Sequence, residues 1–373
     1  MPKRDEHIKE YKNKRGERVF KFHLYLGMDE NGKRVNITRQ GFKTYNDAKI
    51  TYDQLRANGT TGYQRPKQIK TDEMYQLWFN NYKGQVKQST ANKNWQLYKN
   101  HIKPIFGNQY MDKIKVKSVQ KFADNKANEI VKYKDVVRQL GTLFEYAIRL
   151  NYVKDNPVKR IIMPKKTSRA RRDVEHNVYS RAELKTFLAT AKDYNINIYT
   201  YFKLLSSTGL RKSEALALEW KDIDFNKNTI SVKRTLALGL GNKTIVQPPK
   251  SKMSNRTLPM STNLRKDLLE YKKSQKILSK NIFHTHDGNY LTLAKPSQWL
   301  AQVYRKNPNL RKITVHGFRH TFATLLISET DIKPKTVQML MGHENIQMTL
   351  DIYTHVTQKN KNDAATSISQ LNI

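Results

Sequence analysis

The hydrophobic period of this chain changes from two to about three and a half near residue 44, and that change limits the fold more than any other feature. Residues 18–26, RVFKFHLYL, put Phe20, Phe22, Leu24 and Leu26 on one side and Lys21, His23 and Tyr25 on the other, the pattern of a half-buried strand. Asn31-Gly32 is a hairpin signal, and beyond it Val35 and Ile37 alternate with Arg34, Asn36 and Thr38. Thr44, with Asp47 three residues on, is the expected cap of a helix that runs to about Arg56.

Residues 58–70 hold Gly59, Gly62 and Pro66 among Thr, Gln and Lys, the composition of a linker. Residues 71–163 carry only helical spacing. Thr71 is expected to cap a helix bearing Met74, Leu77, Trp78 and Tyr82, and Ser89 to start one bearing Trp95, Tyr98, Ile102 and Phe106. Val119 and Phe122 follow, then Val136, Leu140, Leu143, Phe144, Ala147 and Ile148. These aromatics are expected in a core rather than stacked on bases. Residues 164–177, PKKTSRARRDVEHN, are basic and almost free of apolar side chains. They form either a solvated connector or one that wraps a polyanion. From Tyr179 long helical patterns return, interrupted by a strand region near 229–260. No internal repeat is visible.

Length and charge set the class. A chain of 373 residues exceeds one ordinary core, so two or three domains are expected. Its 69 Lys and Arg outnumber 32 Asp and Glu, a formal charge of +37, and the excess is present in residues 1–62, 63–163 and 164–373 alike. Such a chain repels itself unless a polyanion neutralises it, and the spread implies that each part meets the same long anion. The basic, amide- and hydroxyl-bearing sheet face at Lys21, Arg34, Asn36 and Thr38 suits a DNA groove, although many small modules share that outline. With no cysteine, disulfides, thiolate zinc sites and Cys nucleophiles are excluded. No apolar run follows the basic residues 1–14, and none approaches the roughly 20 residues of a membrane span. A protein of the cytosol or nucleoid, without membrane contact, is expected.

Three segments carry candidate chemistry. In SSTGLRKSEALALEW (206–220), Arg211 lies near the start of an apolar helix that Ser207 or Thr208 can cap, a position suited to anions, and Glu214 can orient its guanidinium. In TVHGFRHTFATLLI (314–327), His316 and Arg319 are three apart and share a helix face. A zinc pair at His316 and His320 lacks the accompanying carboxylate. In VQMLMGHENIQMTLDIYTHV (337–356), Gly342 ends a helix, His343 follows, and a second helix bears Leu350, Ile352 and Tyr353. Two Arg, two His and one Tyr can break a phosphodiester without a metal. The guanidiniums hold the non-bridging oxygens, while a phenol of pKa about 10 needs help to attack and the leaving oxygen needs a proton.

In order and spacing these residues resemble the tyrosine recombinases of the phage and conjugative-transposon integrase type. The family pattern of T-G-x-R-x-x-E, a hairpin Lys, H-x-x-R, His or Trp after L-G or M-G, and Tyr is matched by Thr208-Gly209-Leu210-Arg211 with Glu214, then His316 with Arg319, Met341-Gly342-His343 and Asp351-Ile352-Tyr353. The hairpin Lys is Lys250 or Lys252 in QPPKSKMSNRTLPM (247–260), with Lys250 preferred. The resemblance implies a multidomain, mainly α protein with small β-sheets. Residues 1–62 would form a three-stranded sheet plus helix that binds arm-type DNA, and residues 63–163 a helical core-binding domain. Residues 164–177 would be a linker and 178–373 a mixed α/β catalytic domain. It further implies that Arg211 and Arg319 bind the phosphate, His316 aids proton transfer, His343 orients the phosphate, Lys250 is the acid and Tyr353 the nucleophile of a 3′-phosphotyrosyl intermediate. The implied partners are core and arm attachment sites in double-stranded DNA, a homotetramer on them, and an excisionase or DNA-bending factor. No cofactor or metal is implied. A DNA-binding protein of this fold without chemistry, a type IB topoisomerase and a chromosome-dimer resolvase are the alternatives.

Overall fold

The computed structural model describes residues 5–13, 15–28, 34–58, 68–165, 177–249 and 252–352. Contacts divide the chain into two compact units, residues 1–81 with 97–164 and residues 82–96 with 165–373.

The first unit begins with an antiparallel sheet of β1 (Ile8–Lys12), β2 (Arg18–Met28) and β3 (Arg34–Phe42), in that order. Helix α1 (Tyr45–Asn58) covers one face; Ile8, Phe22, Leu24, Ala48 and Tyr52 form the small core between them. Thr44 caps α1, its Oγ1 accepting from the Asp47 amide at 3.1 Å. On the other face His23 stands opposite Thr38 and Tyr25 opposite Asn36. Lys21 lies over the Tyr11 ring, and Arg34, Asn36 and Thr38 are exposed. Periodicity alone missed β1, because only Ile8 of its five residues is buried and a strand with one inward side chain carries no alternation to detect. The Asn31-Gly32 turn lies outside the described residues.

The next helices are α2 (Thr71–Tyr82), α3 (Gln88–Leu97), a π-helical turn Tyr98–Ile102, α4 (Lys103–Phe106), α5 (Val116–Glu129) and α6 (Tyr133–Arg149). Several of their aromatics are core, since Tyr75 and Tyr98 stack at 3.6 Å and Phe106 meets Phe122 edge to face, whereas Trp78, Tyr82 and Trp95 are half-buried. Thr71 is the first residue of α2 rather than a free cap. Its amide and hydroxyl both donate to the Gln109 carbonyl, tying the helix start to a loop. Helix α3 packs with the second unit instead: Ser89 Oγ and Asn92 Nδ2 donate to Gln247 and Asn242 at 3.2 and 3.1 Å.

In the second unit the chain runs through α7 (Arg181–Tyr194), α8 (Ile196–Thr208) and the single turn α9 (Lys212–Ala215). Five short strands follow: β4 (Ile223–Asp224), β5 (Thr229–Val232), β6 (Thr235–Leu238), β7 (Thr244–Gln247) and β8 (Arg256–Pro259). They pair as a sheet β4-β5-β8 and a separate hairpin β6-β7. Helices α10 (Thr262–Ser274), α11 (Lys295–Lys306), α12 (Val315–Glu329) and α13 (Pro334–Met341) come next. The core centres on α8, where Tyr201 and Phe202 meet Phe187, Phe283, Trp299 and Phe318. Among the described residues no helix is long and apolar enough to cross a membrane.

Candidate active site

The site begins where α8 stops. Thr208 does not cap the following helix; its Oγ1 donates to the Leu204 carbonyl at 2.6 Å and closes α8. Gly209 then takes a left-handed conformation, φ +64°, which ends a helix cheaply only without a Cβ. A Cβ there would also sit 2.5 Å from Phe322 Cδ1 and 2.8 Å from Met341 Sδ. The apolar stretch 210–218 therefore makes one helical turn, and Arg211 stands at its N-cap in extended conformation.

Three guanidiniums converge on the C-terminal end of α13. Consecutive carbonyls of Leu340, Met341 and Gly342 accept from Arg256 Nε at 2.7 Å, Arg319 Nη2 at 2.5 Å and Arg211 Nη2 at 2.9 Å. A helix C-terminus offers unpaired carbonyls and partial negative charge, so cations are stabilised there. Arg319 Nη1 reaches back to the Gly209 carbonyl at 2.5 Å, so α12 is pinned to the turn after α8. Glu214, buried, accepts from Arg211 at 2.7 Å and from Arg256 at 3.1 Å. Burial alone would raise its pKa; Arg256 and then Arg211 hold it below the usual carboxylate value. Against one carboxylate stand three arginines. Arg319 is 2 % exposed; burial and then Arg211 pull its pKa down to about 9, which still leaves it protonated at neutral pH.

Histidines line the same field. His343 is buried beyond Gly342, with Nδ1 2.9 Å from Thr349 Oγ1. Burial, then Arg319 and Arg211, push its pKa to about 3. Thr314 caps α12 through the Gly317 amide and sets His316 on the first turn, where its ring meets that of His320 edge to face at 4.6 Å. His316 is shifted down by the desolvated part of its ring, then by His320, Arg319 and Arg211, while its outer edge remains open to solvent. His320 is also shifted down, by burial and Arg319, and among the described residues its Nδ1 has no hydrogen-bond partner.

Arg211, His316, Arg319 and His343 are thus brought together, with Glu214 holding Arg211 as its spacing implied. Tyr353 and Lys250 lie outside the described residues, as does the side chain of Lys252; a helix runs from 347 to 352 and leads to Tyr353. Arg256 and Thr349 were not read from the sequence. Both sit inside segments that were read, but neither spacing nor composition distinguishes them from their neighbours.

With this geometry in hand, comparisons identify the chain. Residues 177–360 match the Phage integrase family, 72–127 the phage integrase N-terminal SAM-like domain and 10–58 an arm DNA-binding domain. A "Tyrosine recombinase XerC-like" protein of Caldanaerobacter subterraneus is 30% identical over 96% of this chain and 97% of its own. The chain belongs to the tyrosine recombinase family. The integrase of Staphylococcus phage L54a is 28% identical, over 70% of this chain and 81% of its own. Among solved structures, the Tn1549 transposon integrase in complex with a circular intermediate DNA has the same fold. Its TM-score is 0.60 at 22% identity, covering 76% of this chain and 94% of that one. This recombinase is therefore a site-specific enzyme of DNA strand transesterification.

Proposed function

We propose that this recombinase integrates or excises a mobile element, using Tyr353 to cleave each strand and hold it as a 3′-phosphotyrosyl ester. In this reading Arg211 and Arg319 clamp the non-bridging oxygens of the scissile phosphate, His343 orients it, and His316 assists proton transfer. The Tyr353 oxygen forms the bond to phosphorus as the 5′-oxygen leaves, and Lys250 supplies the proton that the leaving oxygen needs. Reversal by another 5′-hydroxyl rejoins the strand with no net hydrolysis. The observation that carries the reading is the charge imbalance around Arg211, which belongs to a three-arginine, one-carboxylate cluster yet keeps 34% of its side chain exposed. Such a preorganised, partly open cationic site favours the more highly charged phosphorane over the monoanionic phosphodiester ground state.

The same reading divides the labour as 1–62 for arm-type DNA, through Lys21, Arg34, Asn36 and Thr38, 63–163 for the core site, 164–177 as connector and 178–373 for chemistry. Exchange between two duplexes breaks four strands, so four copies on DNA are required. The work takes place at the nucleoid of a bacterial cytoplasm, with an excisionase or DNA-bending factor setting direction.

The deciding experiment uses a nicked core-site duplex that traps cleaved enzyme. Tyr353→Phe is expected to bind this DNA like the parent and to give no covalent complex. Covalent attachment persisting in that variant would place the nucleophile elsewhere.

A further inference from the structure

Arg256 opens β8 and pairs with Val232 across the sheet. That side chain is 7% exposed, against 34% for Arg211, so it is badly placed to meet substrate. Its guanidinium is nonetheless fully engaged. Nε donates to the Leu340 carbonyl at 2.7 Å, Nη1 to the Ser254 carbonyl at 3.1 Å and to Glu214 Oε1 at 3.4 Å, and Nη2 to Glu214 Oε2 at 3.1 Å.

Each of these partners is bound to Arg211 as well, or adjoins a group that is. Glu214 Oε1 accepts from Arg211 Nη1 at 2.7 Å and Oε2 from the Arg211 amide at 2.9 Å. Ser254 Oγ lies 3.5 Å from Arg211 Nη1. Leu340 stands two residues before Gly342, whose carbonyl takes Arg211 Nη2. With Arg211 alone, Glu214 would bond only within its own helical turn, through the Arg211 guanidinium on Oε1 and the Arg211 amide on Oε2, and nothing would tie its carboxylate to the α13 end. A second guanidinium across both oxygens fixes the carboxylate plane, and the bond to Leu340 fixes the helix end that supplies the other anchor.

We propose that Arg256 is the positioning residue of the phosphate clamp: it aligns Glu214 and the α13 end so that Arg211 meets the scissile phosphate already oriented. Placing a third cation beside Arg211 and Arg319 opposes their charge, and fixing Arg211 before DNA arrives is the return for it. Misplacement of a reacting group by about 1 Å costs roughly 100-fold in rate, which is the scale of effect at stake.

The inference rests on Arg211 binding the phosphate, and a double-mutant cycle separates the two claims. Full-length Arg256→Met, Arg256→Lys and Arg211→Ala, and each Arg256 change combined with Arg211→Ala, are compared in single-turnover cleavage of the nicked duplex. Core-site affinity is measured in parallel. Arg256→Met is expected to slow cleavage roughly 10- to 100-fold with affinity changed less than about threefold, and Arg256→Lys to recover part of the loss. In the Arg211→Ala background either change is expected to cost nothing further, because no guanidinium remains to be aligned. Should Arg256→Met fail to fold, the Arg256→Lys arm of the cycle distinguishes the same outcomes. Wild-type cleavage by the Arg256 variants, or losses that multiply in the double variants, overturns the positioning role. Unimpaired cleavage by Arg211→Ala would instead overturn the reading of the phosphate site itself.

Discussion

Two buried glutamates five residues apart, Glu214 and Glu219, sit in charge clusters of opposite design. Glu219 and Asp222 share Arg234, and Glu219 also pairs with Lys221 at 2.8 Å, accepts from Tyr290 Oη at 2.8 Å and lies 3.8 Å from Lys280. Anions and cations there are close to balance, and both lysines reach into solvent. Around Glu214 one carboxylate faces Arg211, Arg256 and Arg319, with His316, His320 and His343 in the same field. The charges of the first cluster are paired within the fold, although Glu219 Oε2 and Arg234 Nε make no hydrogen bond among the described residues. The second carries a positive excess, which adds to burial in lowering the pKa values of Arg319 and the histidines and which an incoming anion would relieve. A balanced buried network is a structural device, and an unbalanced, partly open one is a binding site.

The most forceful way to break this comparison is to remove an arginine from each cluster. Arg211→Ala or Arg319→Ala is expected to slow strand cleavage by roughly 10²–10³-fold, the loss of one preorganised stabiliser. Arg234→Ala is expected to cost about 3 kcal/mol of stability, because it leaves the buried Asp222 carboxylate without its cation and removes one of the cations on Glu219, while the folded fraction cleaves at the parental rate. Chemical denaturation and single-turnover cleavage of the three proteins check this. If Arg234→Ala impaired cleavage per folded molecule as severely as Arg211→Ala, the functional contrast would be lost.

A smaller effect separates two left-handed glycines. Gly342 (φ +61°) would place a Cβ 3.1 Å from both Arg256 Nη1 and the Met253 carbonyl, whereas at Gly288 (φ +75°) the nearest atom is Ser279 Oγ at 3.6 Å. Both alanine variants pay about 1–2 kcal/mol for the left-handed backbone. Only Gly342→Ala must also displace Arg256 and the Met253 carbonyl, at the residue whose own carbonyl holds Arg211, so its cleavage should fall about tenfold while Gly288→Ala loses stability alone. Equal cleavage by the two would show that the α13 end tolerates displacement.

The sequence showed which residues carry charge into the site, and not what holds them. Thr208-Gly209-Leu210-Arg211, His316 with Arg319, and Gly342-His343 were legible because each combines a turn or helix signal with a functional group at fixed spacing. Arg256 was invisible: it lies 42 residues from Glu214 and 84 from Leu340 in the chain, and a long-range bond leaves no mark on local periodicity. Thr349 was missed for the opposite reason, since a threonine inside a helical run reads as an ordinary surface residue until His343 is seen beside it. The apolar helix expected around Arg211 is only the single turn Lys212–Ala215. In the N-terminal sheet, β2 and β3 were legible from alternation and β1 was not.

The gentlest test distinguishes the clusters by the pH at which each destabilises the protein. His343 is protonated in the unfolded chain below about pH 6.5, but in the fold burial, Arg319 and Arg211 hold it neutral down to about 3. Its folded pKa is depressed, so the unfolded state binds more protons between those values. The stability it contributes is present above about pH 6.5 and is lost as pH falls towards 3. The slope for His343 is up to about 1.4 kcal/mol per pH unit, and it is smaller for His316, whose open edge water screens. Glu219 behaves differently. Burial would raise its pKa, but Lys221, Tyr290 and Arg234 hold it below the usual value, so its contribution persists above the ordinary carboxylate range and fades only below it. Thermal unfolding of the parent should therefore weaken between pH 6.5 and 4.5, where His343→Gln should flatten the curve and Glu219→Gln should leave its slope unchanged. Core-site DNA should reduce the same slope, because a phosphate beside His343 and His316 favours their protonated forms and binding then takes up protons. A parental melting temperature that is flat from pH 6.5 to 4.5, or proton uptake unaltered by His343→Gln, would mean that the positive excess around Glu214 is not what the histidines sense.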